Sequence, residues 1–357
     1  NRDGTLIPFE IIRDKIPVNC VDAAFMIDDK TGYIKLSKFT RTTFTEFKEA
    51  TSRLMSQGMK KLIFDLRDNT GGYFDQALLL SNEFLHRGEG IVYMEGMHRP
   101  RQDYDADGRG ALKDVRISVL INEGTASSSE IFSGAIQDND RGVIVGRRSF
   151  GKGLVQEPID FSDGSSIRLT IARYYTPSGR CIQKPYDEGS EEYAKDLFKR
   201  YEHGEFFSAD SVKLDQTEVF KTKNGRTVYG GGGIMPDHFV PQDTIAYSEY
   251  YASIIRKSIV NKFSFRYVDS RRSDLKQYNT TEKLISYLNR DNVLSQLQQS
   301  AAAEGVKRDA SATSEAIAQL KRVLYATIIY DAMEMEDYIR YVNEDDSTIK
   351  KAIGVLQ

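Results

Sequence analysis

The feature that most constrains this chain is a pattern met three times, without any internal sequence repeat: a short apolar run, then a glycine-containing polar turn. The runs are Leu62-Ile63-Phe64-Asp65-Leu66, Ile117-Ser118-Val119-Leu120-Ile121 and Gly142-Val143-Ile144-Val145-Gly146. Each is too short for a helix and rich in residues that favour the pleated sheet, so each reads as a buried strand. The turns that follow occupy 68–72, 123–130 and 147–153. Helical patterns separate the strands. Thr43-x-x-Glu46 reads as a capping box opening a helix with Phe44, Phe47 and Leu54 on one side. Ala77, Leu78, Ser81 and Leu85 mark a second helix, and Ser127 to Asp138 reads as a third. Tyr33-Ile34-Lys35-Leu36 and the alternating Ser166-Ile167-Arg168-Leu169-Thr170-Ile171 add strands. Repeated strand–helix units predict an α/β core, and ligands in such sheets bind at the edge where these turns lie.

At 357 residues the chain has room for two or three domains. Residues 1–18 read as a hairpin, with a turn at Arg2-Asp3-Gly4-Thr5 and alternating Ile7, Phe9 and Ile11, the tail of something cut away. Residues 19–184 carry the strand–helix core, which resumes at 232–245. Residues 185–231 are polar, rich in Glu, Lys and Tyr, and end in Gly230 to Gly233. They read as an insertion. Residues 246–357 are mostly helical, with a stripe of Ile317, Leu320, Leu324 and Ile328 and a linker near 269–274.

Composition excludes several function classes. Net charge is −3, so no basic field advertises nucleic acid or an anionic membrane. No apolar run approaches the roughly 18 residues of a membrane span. Two cysteines, Cys20 and Cys181, do not make a disulfide scaffold. The four histidines, His86, His98, His203 and His238, have no metal-ligand spacing. Asp103-x-Asp105-x-Asp107-Gly108 starts like a calcium loop, but its twelfth position is Asp114 rather than Glu, so a polar hairpin is the expectation. No metal and no cofactor is expected.

The chemistry concentrates in the turns. Ser127-x-x-Glu130 is a capping box, which needs nothing more than a hydroxyl. The same hydroxyl at a helix N-terminus also lies where free N–H groups stabilise negative charge, as a tetrahedral oxyanion requires. In Ser149-Phe150-Gly151-Lys152-Gly153 a lysine stands between two glycines. It is either a surface lysine in a turn or one led inward, where a lysine sheds its proton more readily and can serve as a base. Gly146-x-x-x-x-Gly151-Lys152 fits a phosphate-binding P-loop up to its last position. That position is Gly153 rather than Ser or Thr, and the following Leu154-Val155-Gln156-Glu157-Pro158 reads as extended rather than helical, against a nucleotide site.

In order and spacing these segments resemble the carboxy-terminal processing peptidases, the tail-specific serine proteases of family S41. Asp65-Leu66-Arg67-Asp68-Asn69-Thr70-Gly71-Gly72 is similar to that family's Gly-Gly turn. Thr125-Ala126-Ser127-Ser128-Ser129-Glu130-Ile131-Phe132 is similar to its nucleophile motif, and Gly146 through Gln156 to its base motif. Ser127 and Lys152 stand 25 positions apart, as the resemblance requires. Tyr175-Thr176-Pro177-Ser178-Gly179-Arg180 and Gly233-Ile234-Met235-Pro236-Asp237 resemble two further signatures. Coverage is roughly 5–182 and 232–241.

The resemblance implies a crotonase/ClpP-like core of stacked strand–helix units with an all-helical C-terminal appendix. Residues 1–18 would be the remnant of a PDZ domain. It implies Ser127 as nucleophile, Lys152 as general base and Gln156 as the residue orienting the lysine. The oxyanion hole would join the Ser128 backbone N–H to one from Gly71 or Gly72. Asp138 matches an acidic position associated with activity, or it simply ends its helix. Ser128 stands where a small apolar residue is common. Implied substrates are proteins or peptides with free C-termini, in an exported, periplasmic or envelope-associated setting. Dimerisation or adaptor binding through 246–357 stays open. So does a scaffold that keeps the fold without strong catalysis, and so does acyl transfer on a small molecule.

Overall fold

The structure, a computed structural model, describes residue 6 and residues 8–14, 19–213, 217–243 and 248–357. The apolar runs form the middle of a six-stranded sheet. In chain order the strands are β1 (Val21–Met26), β2 (Thr31–Leu36), β3 (Lys61–Asp65), β4 (Gly90–Gly96), β5 (Arg99–Asp105), β6 (Arg116–Ile121), β7 (Val143–Gly146), β8 (Leu154–Asp160), β9 (Ser166–Tyr175), β10 (Val219–Lys221), β11 (Thr227–Tyr229) and β12 (His238–Phe239). The main sheet runs β1-β2-β3-β6-β7-β12. Only the β1–β2 pair is antiparallel. From β2 onward neighbours are parallel. Parallel order places the three turns side by side at the C-terminal edge of β3, β6 and β7. The second sheet, β5-β4-β9-β8, is antiparallel. Asp103, on β5, is paired with Arg101 at 2.6 Å.

Helices α1 (Thr43–Ser56), α2 (Phe74–Asn82) and α3 (Ser128–Asp138) cover one face of the main sheet. Phe47, Phe64, Phe84 and Phe132 interlock there with ring centroids 5.1–6.1 Å apart. Every residue of α3 is buried, so this helix runs through the core. The capping box expected between Thr43 and Glu46 does not form. Thr42 is the N-cap, and Glu46 Oε2 reaches back to accept the Cys20 and Val21 amides at 2.8 and 3.1 Å. Two N–H groups of the chain entering β1 outweigh one helix-end donor.

Helix α4 (Ser190–Glu202) lies in the segment read as an insertion, followed by β10, β11 and β12, and from Glu249 onward the chain is helical. The remaining helices are α5 (Glu249–Arg256), α6 (Ile259–Ser270), α7 (Arg272–Leu275), α8 (Thr281–Arg290), α9 (Val293–Ala303), α10 (Ser314–Ala332), α11 (Met335–Asn343) and α12 (Ser347–Leu356). Helices α5 to α10 build a core of their own around Ile254, Leu288, Leu297, Leu320, Leu324 and Ile328. The last two helices behave differently. Ile339 of α11 and Ile349, Ala352 and Leu356 of α12 pack on Phe25, Tyr33, Ile63, Leu120 and Val145, the other face of the main sheet. Among the described residues no helix is long and apolar enough to cross a membrane.

Most of the hairpin expected at 1–18 lies outside the described residues. Its described part, residue 6 and residues 8–14, holds no strand, and Leu6, Phe9, Ile11 and Ile12 are exposed. Cys20 and Cys181 are both free thiols.

Candidate active site

Ser127 is fixed by the turn after β6. Thr125 Oγ1 donates to Leu66 O at 2.8 Å, and the Ala126 amide donates to Asn69 O at 2.9 Å. Ser127 then takes φ 55°, ψ −118° at the N-cap of α3. That region is disfavoured for any residue with a Cβ and costs about 1–3 kcal/mol. The surrounding bonds hold it there.

The glycine turn after β3 is stapled to this elbow. Ser128 Oγ donates to Gly72 O at 3.0 Å, and Ser129 Oγ donates to Asn69 O at 3.0 Å. Sequence reasoning gave Ser128 only a backbone role and missed its hydroxyl. Both glycines have positive φ, 89° at Gly71 and 152° at Gly72. A Cβ on Gly71 would lie 2.8 Å from both Ser127 Cβ and Ser128 N, and one on Gly72 would lie 1.9 Å from Phe39 O. No side chain fits between turn and elbow. The two N–H groups differ. Gly71 donates to Asn69 Oδ1 at 2.9 Å. Gly72 N–H and Ser128 N–H have no acceptor among the described residues.

The turn after β7 reaches the elbow through Glu130. Its fully buried carboxylate accepts the Ser127 amide at 2.9 Å and the Lys152 amide at 2.8 Å, both on Oε2. Oε1 accepts the Gly151 amide at 2.7 Å and the Ser149 hydroxyl at 2.5 Å. The Phe150 amide donates to Thr125 O at 2.9 Å. Glu130 therefore completes a helix cap and also clasps two loops. Burial pushes its carboxyl above the usual range, against the pull of the hydrogen bonds it accepts. The sequence offered one signal, an acid directly after three serines on a helix that must be buried. The capping reading absorbed it.

Lys152 is half-buried and lines a cavity of about 560 Å³ with Phe150, Leu154, Gln156, Tyr186 and Tyr193. Its ammonium has no ion-pair partner among the described residues. Residues from Leu154 onward form β8, not the helix a P-loop needs. The wall of the cavity is anchored by Lys184. Its Nζ lies 4.1 Å from the ring centroids of both Phe150 and Tyr193 and 3.0 Å from Asp196.

Sequence reasoning brought Ser127, Lys152, Gly71, Gly72 and Ser128 together, and the structure has their backbones in one place. The Ser127 and Lys152 side chains make no hydrogen bond to each other. Gln156 is exposed and donates to Thr170 Oγ1 at 3.4 Å rather than to Lys152, although both line the same cavity. Catalytic hydrogen bonds are commonly long before substrate arrives.

Asp138 lies elsewhere, about 15 Å along α3 from Ser128 at 1.5 Å per residue. Its carboxylate accepts Arg180 Nη2 at 2.8 Å and the Ser178 amide at 3.1 Å. Arg180 and Asp138 side chains are both fully buried.

Residues 30–189 match the family model described as Peptidase family S41. Residues 250–334 match a family of unknown function, DUF8443. A "Probable CtpA-like serine protease" of Staphylococcus aureus is 38% identical over 174 residues, 48% of this chain and 35% of that protein. A "C-terminal processing peptidase, chloroplastic" of Tetradesmus obliquus is 40% identical over 153 residues, 43% of this chain and 33% of that protein. The chain thus spans about a third of the length of these curated relatives. Among solved structures, a photosystem II D1 C-terminal processing protease is similar at 35% identity and a TM-score of 0.42, over 47% of this chain and 46% of that one.

Proposed function

From the premise that this chain carries a peptidase family S41 domain at residues 30–189, we propose that it is a serine endopeptidase acting near protein C-termini, with Ser127 as nucleophile and Lys152 as base. One observation carries the reading. A single carboxylate oxygen of Glu130 accepts the amides of both residues, so their two backbones meet across it. In this reading the elbow presents the Ser127 hydroxyl to substrate. The N–H groups of Gly72 and Ser128, which have no acceptor among the described residues, would serve as donors for an oxyanion. Gly71 is unsuited, because its N–H is spent on Asn69.

In this mechanism Lys152 takes the hydroxyl proton as Ser127 attacks the scissile carbonyl. The oxyanion rests on Gly72 and Ser128. The lysine returns the proton to the leaving amine, and water then hydrolyses the acyl-enzyme. Gln156 would swing from Thr170 toward the lysine once substrate fills the cavity they share. Extended chains with a free C-terminus suit an open groove. The crotonase/ClpP-like description of the core, an exported setting and association with a PDZ domain belong to the same reading.

The experiment is cleavage of an unstructured protein with an apolar C-terminus. It compares this chain with Ser127→Ala and Lys152→Ala across pH, with any upstream region restored in parallel. Loss in both variants supports the dyad. Cleavage that survives either substitution in folded protein overturns it.

A further inference from the structure

A second cavity, of about 320 Å³, opens between the C-terminal end of α4 and the glycine run Gly230 to Gly233. Its floor holds two guanidinium groups on one carboxylate. Arg148 grips Glu205 with Nε and Nη2 at 2.8 and 2.6 Å, and Arg200 Nε reaches the same Glu205 at 2.8 Å. All three are largely shielded, at 14%, 5% and 5% side-chain exposure. The lining also holds Asp196, but that carboxylate is paired with Lys184 at 3.0 Å, and Lys199 adds a further cation, so positive charge remains in excess around the cavity, which is costly away from water.

Basic residues at a helix C-terminus ordinarily complement its dipole. That would account for Arg200, but not for Arg148, which comes from the segment after β7. Nor does it account for the bare loop. A Cβ on Gly232 would lie 2.6 Å from Arg148 Nη1, so glycine there lets the guanidinium reach the cavity. A guanidinium has five N–H donors. The remaining contacts, Arg148 to Gly232 O at 3.0 Å and Arg200 to Ser149 O and Arg148 O at 3.0 and 2.8 Å, do not use them all. At the rim, His203 and Lys213 are exposed, and neither side chain has an ion-pair partner among the described residues.

We infer that this cavity is a binding site for an oxyacid anion, a carboxylate or a phosphate, received by Arg148 and Arg200 below and Lys213 and His203 above. The N–H donors that each guanidinium keeps free would make charge-assisted hydrogen bonds to such an anion. Arg200 already holds the Arg148 and Ser149 carbonyls. An anion seated here therefore joins α4 more firmly to the segment that leads into Lys152.

The test is calorimetric titration of the full chain with inorganic phosphate, against chloride at matched ionic strength. Saturable one-site binding is expected. His203→Glu combined with Lys213→Glu alters only exposed positions. It should lower phosphate affinity at least tenfold while leaving the melting temperature without phosphate unchanged. Two otherwise identical peptides, one ending in a free carboxylate and one in an amide, then compete with bound phosphate. Displacement by the acid alone supports the site and names a chain terminus as its occupant. Displacement by neither, with phosphate bound, supports a free anion. No phosphate binding beyond that of chloride, affinity unmoved by the double substitution, or equal displacement by the amide would each overturn the inference. None of these readouts depends on peptide cleavage.

Discussion

Lys152 is held by its backbone to Glu130, amide to carboxylate at 2.8 Å, and the same carboxylate oxygen holds the amide of Ser127. In the proposed reading Glu130 is a positioning residue, because it holds the two loops to each other. Glu130→Gln sets an NH2 group against two of the present donors. Leaving a buried donor unsatisfied costs about 1–3 kcal/mol. A loss of that order is expected in urea unfolding. The turnover of the folded fraction should fall while KM changes little, and Glu130→Asp, which keeps the acceptors but shortens the reach, should recover part of both losses. Undiminished turnover in folded Glu130→Gln would remove the clasp from the mechanism.

Gly72 supplies one of the two free N–H groups, and a methyl group there would collide with Phe39 O at 1.9 Å. Gly72→Ala must move the turn. Losing one oxyanion donor lowers kcat by about 10²–10³. That fall is expected in steady-state cleavage, with Ser127 still labelled, more slowly, by a phosphonylating reagent.

Asp138 and Arg180 form a fully buried pair at 2.8 Å, remote from Ser127. Breaking such a pair by removing one partner costs about 3–5 kcal/mol, whereas an apolar replacement of both is often neutral. Asp138→Leu should therefore melt far lower, and adding Arg180→Met should recover much of the loss. Activity per folded molecule should follow the same pattern. A folded Asp138→Asn that is inactive would instead assign Asp138 to the chemistry.

Asp65 makes acid sensitivity predictable. Burial opposes its ionisation, but Arg67 and Lys35 outweigh burial and hold the carboxyl well below the usual range. A depressed folded pKa contributes stability that is present above the unfolded value of about 3.9 and fades as pH falls toward the folded value. Stability should therefore drop on acidification below about pH 4 more steeply in the parent than in Asp65→Asn, as read by urea unfolding at a series of pH values.

The sequence disclosed what depends on local pattern. The runs ending at Leu66, Ile121 and Gly146 announced buried strands, and the glycines of the turns announced close backbone approach. Contacts across long separations left no such mark. Arg180 meets Asp138 at a distance of 42 residues, and nothing in either neighbourhood tells a helix-ending acid from a buried partner. The Glu46 carboxylate obeyed a capping pattern on paper, yet amides 25 and 26 residues away claimed it. The helical reading of 246–357 did not say which surface the last helices would cover.

That last surface has a consequence for how the molecule comes into being. The sheet that carries both working turns is roofed on one side by α11 and α12, and Arg340 Nη1 donates to Met26 O across 314 positions of chain. Asp346, at the head of α12, holds Arg67 at 2.6 Å just before the glycine turn. A growing chain emerging from the ribosome would hold every strand of this sheet long before it held the roof. Closing so long a loop is slow. The edge that bears Ser127 and Lys152 would therefore gain its cover only after the strands beneath it and the helices α5 to α10 had been made.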